Sequence, residues 1–93
     1  MAETVRVRAT VSGIVQGVGF RWSARTEAAR LAVTGFARNR PDGTVEVEAQ
    51  GAPDAVSAFV DWLRHGPAGA SVAGVELSPV PAADVDDEGF AVG

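Results

Sequence analysis

Gly35-Phe36-Ala37-Arg38-Asn39-Arg40-Pro41-Asp42-Gly43-Thr44-Val45-Glu46-Val47-Glu48-Ala49-Gln50 is the stretch on which the fold turns. Val45, Val47 and Ala49 alternate with Glu46, Glu48 and Gln50, the two-residue period of a half-buried strand. Gly35 to Asn39 reads as the strand before it. Pro41 presets φ and Gly43 admits positive φ, so Arg40-Pro41-Asp42-Gly43 reads as the turn between them. The two strands are therefore expected as antiparallel neighbours in a hairpin.

Outward from the hairpin the period changes. Upstream, Phe20, Ala24, Ala28 and Leu31 recur at helical spacing, preceded by a strand in which Val5, Val7, Ala9 and Val11 alternate with Arg6, Arg8 and Thr10. Downstream, Pro53 and Asp54 suit a first helical turn and its dipole. Val56, Phe59, Val60 and Leu63 form the stripe of that second helix, and Gly66-Pro67 ends it. A strand is expected from about Val72 to Leu77, broken by Pro79 and Pro81. An acidic loop, Asp84 to Glu88, then leads to a short strand, Phe90–Val92. The order β-α-β-β-α-β plus a short C-terminal strand predicts an α+β fold, a ferredoxin-like split β-α-β sandwich. Each helix has one apolar stripe, so both are expected on one face of an antiparallel or mixed sheet.

The chain has 93 residues, 46% of them hydrophobic, and reads as a single domain over residues 1–93. It has no cysteine and one histidine, so neither disulfides nor a thiolate or His-based metal site is expected, and no cofactor. No segment is apolar for the roughly 18 residues of a membrane span. The Met1–Arg6 start lacks a signal-peptide pattern, so a cytoplasmic location is expected. The net charge of −4 argues against nucleic-acid partners. The strands also lack the stacking aromatics of an RNA-binding sheet. Every basic residue is arginine, and all but Arg64 fall at or before Arg40. A basic first half on an acidic chain fits a local anion site. Arg6, Arg8, Arg25 and Arg30 are assigned to a solvated surface.

The anion site has an obvious address. Gly13-Ile14-Val15-Gln16-Gly17-Val18-Gly19-Phe20-Arg21 joins the first strand to the first helix. Glycines let backbone N–H groups turn inward around an anion, and the helix start adds free N–H groups and partial positive charge. Arg21 supplies a planar fork for phosphate oxygens. The loop lacks the Gly-Lys-Ser/Thr ending of a nucleotide-binding loop and the Gly-x-Gly-x-x-Gly spacing of a dinucleotide fold. One arginine suits one phosphoryl group. On loop composition alone, a glycine-rich connection that binds nothing is an equally good reading.

The hairpin decides between them. Gly13, Val15, Gln16, Gly17, Val18, Phe20 and Arg21, taken with Gly35, Phe36, Ala37, Arg38, Asn39, Gly43, Val45 and Gly51, closely resemble the paired signatures of the acylphosphatase family. The likeness runs on through Phe59-Val60-Asp61-Trp62-Leu63 and Gly66-Pro67. The resemblance implies metal-independent hydrolysis of the carboxyl–phosphate bond of a small acyl phosphate. It implies that Arg21 binds the phosphate with the backbone of Gln16, Gly17, Val18, Gly19, Phe20 and Arg21, and that Asn39 orients the attacking water. A monomer is the default.

Two other readings compete with a free-standing enzyme. One is an acylphosphatase-like domain of a larger carbamoyl-transfer enzyme, whose loop has the same Val-Gly-Phe-Arg form. Nothing follows the fold in this chain, so the free-standing type is expected. The other is a non-catalytic anion-binding module, which would have no need of Asn39.

The remaining polar residues take plainer readings. His65 is expected as a partner of the second helix's C-terminus, and Asp42 as a turn residue. Asp84, Asp86, Asp87 and Glu88 lack the spacing of a calcium loop and read as solvated. Arg38 alternates away from Asn39. Trp22 either flanks the substrate mouth or packs against the sheet. Departures from the family pattern are mild: Gly19 stands where many members have an aromatic residue, Leu31-Ala32-Val33-Thr34 lacks a glycine often found there, and Gly93 replaces a basic or aromatic end.

Overall fold

The computed structural model describes residues 3–83 and 89–93. The hairpin lies inside a five-stranded sheet: β2 (Thr34–Asn39) and β3 (Val45–Gly51) pair antiparallel from Thr34↔Gln50 to Asn39↔Val45. β1 (Val5–Ile14) lies antiparallel on the other side of β3, and β4 (Ser71–Val80) lies antiparallel outside β1. β5 (Phe90–Val92) adds to β2 in parallel, giving the order β4-β1-β3-β2-β5. β1 and β2 thus run parallel with β3 inserted between them, which is the split β-α-β unit expected from the element order.

Two strand ends differ from the sequence reading. β1 continues to Ile14 through a register shift between Ser12 and Gly13. Gly13 sits at φ 116, where a Cβ would meet the Ser71 carbonyl oxygen at 2.2 Å, so only glycine fits this bulge. β4 passes through Pro79 and ends at Val80, against the expectation of a break. It is an edge strand, so a residue without an N–H can face outward and leave no ladder bond unmade. The acidic stretch 84–88, read as a solvated loop, lies outside the described residues.

The helices α1 (Phe20–Leu31) and α2 (Pro53–Leu63) cover one face. Ala9, Val11, Ala37, Val45, Val47 and Ala49 of the sheet meet Phe20, Ala24 and Ala28 of α1 and Phe59 and Leu63 of α2. Each large apolar side chain buried here stabilises by roughly 1.5–3 kcal/mol. Phe20 lies 5.5 Å from Trp62, and Phe59 lies 5.5 Å from Phe90, ring centre to ring centre. The first residue of α1 is thereby anchored to α2. At its other end α1 closes through Ala32 at φ 58, with Val33 N–H donating to the Ala28 oxygen at 2.9 Å. That left-handed position is the one usually given to glycine.

The uncovered face is ionic. Arg6 Nε donates to Glu48 at 2.7 Å, Arg8 donates to the same carboxylate at 3.0 and 3.1 Å, and Arg38 donates to Glu46 at 2.8 Å. Arg6 is therefore not a solvated surface residue: only 9% of its side chain is exposed, because Glu48 and Gln50 across the strand pair cover it. Arg8 is half-exposed, and Arg25 and Arg30 are exposed as expected.

Candidate active site

Residues 15–19 connect β1 to α1, and their apolar members hold the loop down. Val15 and Phe20 are buried, and Val18 packs against the core. The glycines between them point the backbone outward. Gly17 and Gly19 adopt φ 75 and 79, and a Cβ on either would find nothing within 4 Å. They are glycines for conformation, and the space before them is open. Gly19 is also the N-cap of α1. It has no side chain to cap the helix, and no acidic residue occupies the first turn. The first bond closing α1 runs from Ser23 N–H to the Gly19 oxygen, so the amides before it lack intrahelical acceptors. A helix start left so positive and unblocked suits an anion.

Gln16 ties this loop to the hairpin. Its Nε2 donates to the Arg40 carbonyl at 2.8 Å and to the Thr44 carbonyl at 2.9 Å. The turn it grips is itself closed by hydrogen bonds of its own. Arg40 N–H donates to the Thr44 oxygen at 2.8 Å and Gly43 N–H to the Arg40 oxygen at 3.1 Å. Asp42 accepts from the Thr44 N–H at 3.0 Å, the turn role expected of it. The Thr44 hydroxyl and then its N–H hold the Asp42 carboxyl below its ordinary value.

Arg21 reaches β2 indirectly, through Gly93. Its Nη1 donates to the backbone oxygen of Gly93, and Gly93 N–H donates to the Ala37 oxygen at 2.9 Å. Ala37 lies two residues before Asn39 on β2. The loop that carries Arg21 and the strand end that carries Asn39 are thus joined twice, through Gln16 and through Gly93. Asn39 is exposed, on the strand face shared with buried Ala37, and Arg38 faces the ionic side as expected.

The loop is thus tied to the hairpin end that neighbours Asn39, and comparison with known proteins gives the chain a family. The family model described as Acylphosphatase matches residues 7–92. The chain belongs to the acylphosphatase family. It is 60% identical over 74 residues to an acylphosphatase of Rhizobium etli, covering 80% of this chain and 77% of that one. It is 54% identical over 86 residues to an acylphosphatase of Anaeromyxobacter dehalogenans, covering 91% and 92%. The structure of an acylphosphatase from Coxiella burnetii superposes with a TM-score of 0.89 at 38% identity, over 97% of this chain and 93% of that one. The chain is accordingly an acylphosphatase in activity, hydrolysing acyl phosphates to a carboxylate and inorganic phosphate.

Trp22 and His65 also have definite surroundings. Trp22 does not pack against the sheet: it is 57% exposed on the first turn of α1, with the Arg25 guanidinium 5.7 Å from its ring centre. His65 Nδ1 lies 2.9 Å from the Asp61 carbonyl at the end of α2, as expected. Two contributors escaped the sequence reading. Gln16 entered only for its backbone, although it is the one polar side chain between Gly13 and Arg21. Gly93 entered only as a departure from the family's usual end.

Proposed function

We propose that the amides of Gln16 to Arg21 and the Arg21 guanidinium bind the phosphoryl group of a small acyl phosphate, and that Asn39 orients the attacking water. The observation that carries this reading is the double tie between the Arg21 loop and the Asn39 strand end, through Gln16 and through Gly93. The water oxygen attacks phosphorus in line. The bond from phosphorus to the acyl oxygen breaks, and its electron pair leaves with the carboxylate. The water proton passes to a phosphoryl oxygen, giving inorganic phosphate.

The reaction asks little more of the protein. The leaving group is the anion of an acid with a pKa near 4–5, so it departs without a proton from the enzyme. A loose phosphoryl transition state makes modest demands on its nucleophile, so a strong base is not needed either. Asn39 is a carboxamide and serves as an orienter, not a base. What remains is to stabilise charge on the equatorial oxygens and to position a water. Those tasks suit an arginine, a ring of amides and an asparagine, and the proposal includes no metal and no cofactor. It treats residues 1–93 as one domain acting as a monomer, since one chain supplies Arg21 and Asn39. It also takes the cytoplasm as the setting and no nucleic acid as a partner, in keeping with the small anionic substrate and the net charge of −4.

The test is hydrolysis of an aryl acyl phosphate in EDTA. Activity should persist undiminished. Arg21→Ala removes two charge-assisted bonds of about 1.5–3 kcal/mol each, so kcat/KM should fall by roughly 10²–10⁴. Asn39→Ala should lower kcat by about 10² while inorganic phosphate still binds competitively. Arg21→Ala with kcat/KM within a few-fold of wild type would sink the proposed site.

A further inference from the structure

The open face of the sheet holds a group that the hydrolytic site does not touch. Glu46 is 6% exposed and is the one buried charged residue among the described residues. Its Oε1 accepts from Arg38 Nε at 2.8 Å, and its Oε2 pairs with Arg40 Nη2 at 3.3 Å. Arg8 Nε lies farther from Oε2, at 3.7 Å, and the Arg8 fork already donates twice to Glu48. The Glu46 carboxylate is therefore shared chiefly by Arg38 and Arg40. Those are the residues on either side of Asn39.

We propose that Glu46 is a positioning residue for Asn39, acting through Arg38 and Arg40. Strand alternation sends Arg38 to the ionic face and the Asn39 side chain to the other. Asn39↔Val45 is the last pair of the β2–β3 ladder, and beyond it the main-chain bonds are those of the turn, Arg40 N–H to the Thr44 oxygen and Gly43 N–H to the Arg40 oxygen. A carboxylate gripping the flanking residues from behind fixes the peptide planes on both sides of Asn39. That sets the direction of its carboxamide. Stability alone is a poor explanation for such a group. Buried ion pairs often add nothing over apolar residues of the same volume, whereas specifying one geometry is a role they can fill. The inference rests on the reading of Asn39 as the water orienter.

Three variants of the whole chain test it, each with a melting curve and steady-state kinetics on an aryl acyl phosphate. Glu46→Gln keeps the shape and loses the charge. It should lower kcat by about ten-fold, leave KM within about two-fold, and leave competitive inhibition by inorganic phosphate unchanged. Arg40→Gln, at a half-exposed residue where folding is not at risk, should show the same kcat-only signature at a smaller size. Arg8→Gln removes the arm that does not flank Asn39 and should leave kcat unchanged. A double-mutant cycle supplies the readout that a merely structural role would not move. In an Asn39→Ala background, Glu46→Gln should cost no further kcat. The inference is overturned if Arg40→Gln keeps the wild-type kcat. It is equally overturned if the Glu46→Gln loss persists in full without Asn39. Wild-type kcat in Asn39→Ala alone would instead remove the water-orienting reading, and this inference with it.

Discussion

Replacing Gln16 with alanine should cost the enzyme far more in rate than in stability. The Gln16 amide donates two hydrogen bonds, to the Arg40 and Thr44 carbonyls at 2.8 and 2.9 Å. Each is worth about 0.5–1.5 kcal/mol net, so the pair could contribute up to about 3 kcal/mol. Neither acceptor is orphaned by the change, however. The Arg40 oxygen keeps the Gly43 N–H, and the Thr44 oxygen keeps the Arg40 N–H. The loss therefore belongs at the low end, about 1 kcal/mol, or roughly 5 °C in Tm for a domain of this size. Catalysis feels the same deletion differently. The strap joins the proposed phosphate loop to the turn that follows Asn39, and a slip of about 1 Å between reacting groups can cost 10²-fold. A loss in kcat of ten- to a hundred-fold is expected, with KM nearly unchanged. Gln16→Glu should be worse. Its carboxylate would face two carbonyl oxygens and bring negative charge toward the proposed phosphate cradle, so KM should rise too. Thermal melting beside kinetics on an aryl acyl phosphate decides the matter. If Gln16→Ala melts about 5 °C lower yet keeps the wild-type kcat, the strap has no role and the loop is held by Val15 and Phe20 alone.

Ala32→Gly should stabilise the fold by about 0.5–1 kcal/mol, because Ala32 holds φ 58 and glycine does so without a Cβ penalty. Urea denaturation should show a higher midpoint with unchanged kcat. Acid should weaken the ionic face. Arg38 and then Arg40 hold Glu46 below its ordinary value against burial. For Glu48, burial pushes up, but Arg6 and Arg8 outweigh it. Carboxylates lowered in the folded state contribute fully above their unfolded value of about 4.3 and lose that contribution as pH falls through the folded values. Stability measured by urea titration should therefore be flat above about pH 5 and fall below about pH 4.5, and less steeply in Glu46→Gln.

The hairpin was legible because its evidence is local. Alternation and turn chemistry act within a few residues, and Val45, Val47 and Ala49 are buried as their spacing predicts. Pro79 was misread because its effect depends on position in the sheet. A proline breaks a central strand and is harmless on an edge, and edge status is decided by the order β4-β1-β3-β2-β5. Arg6 was misread for a similar reason. Alternation gave its face correctly but could not show that Glu48 and Gln50 of β3 would cover it. Ala32 carries no local sign that it must turn left-handed.

The site shows the same division. Of the proposed site residues, Arg21 is recognisable as a fork at a helix start, and Asn39 only through the resemblance to the acylphosphatase signatures. Gln16 and Glu46 are not, because what they do depends on their partners. Gln16 binds main-chain carbonyls, which any sequence would offer, and Glu46 binds arginines that read equally well as surface. Yet both act around the same strand end: Gln16 on the main-chain oxygens of Arg40 and Thr44, Glu46 on the guanidinium groups of Arg38 and Arg40. A strand end is the loosest part of a sheet, and this one carries the proposed water orienter. Its rigidity has to come from outside the ladder. On the proposal that Glu46 positions Asn39, the ionic face is more than the back of a one-sided core, since Glu46 grips the residues on either side of that strand end.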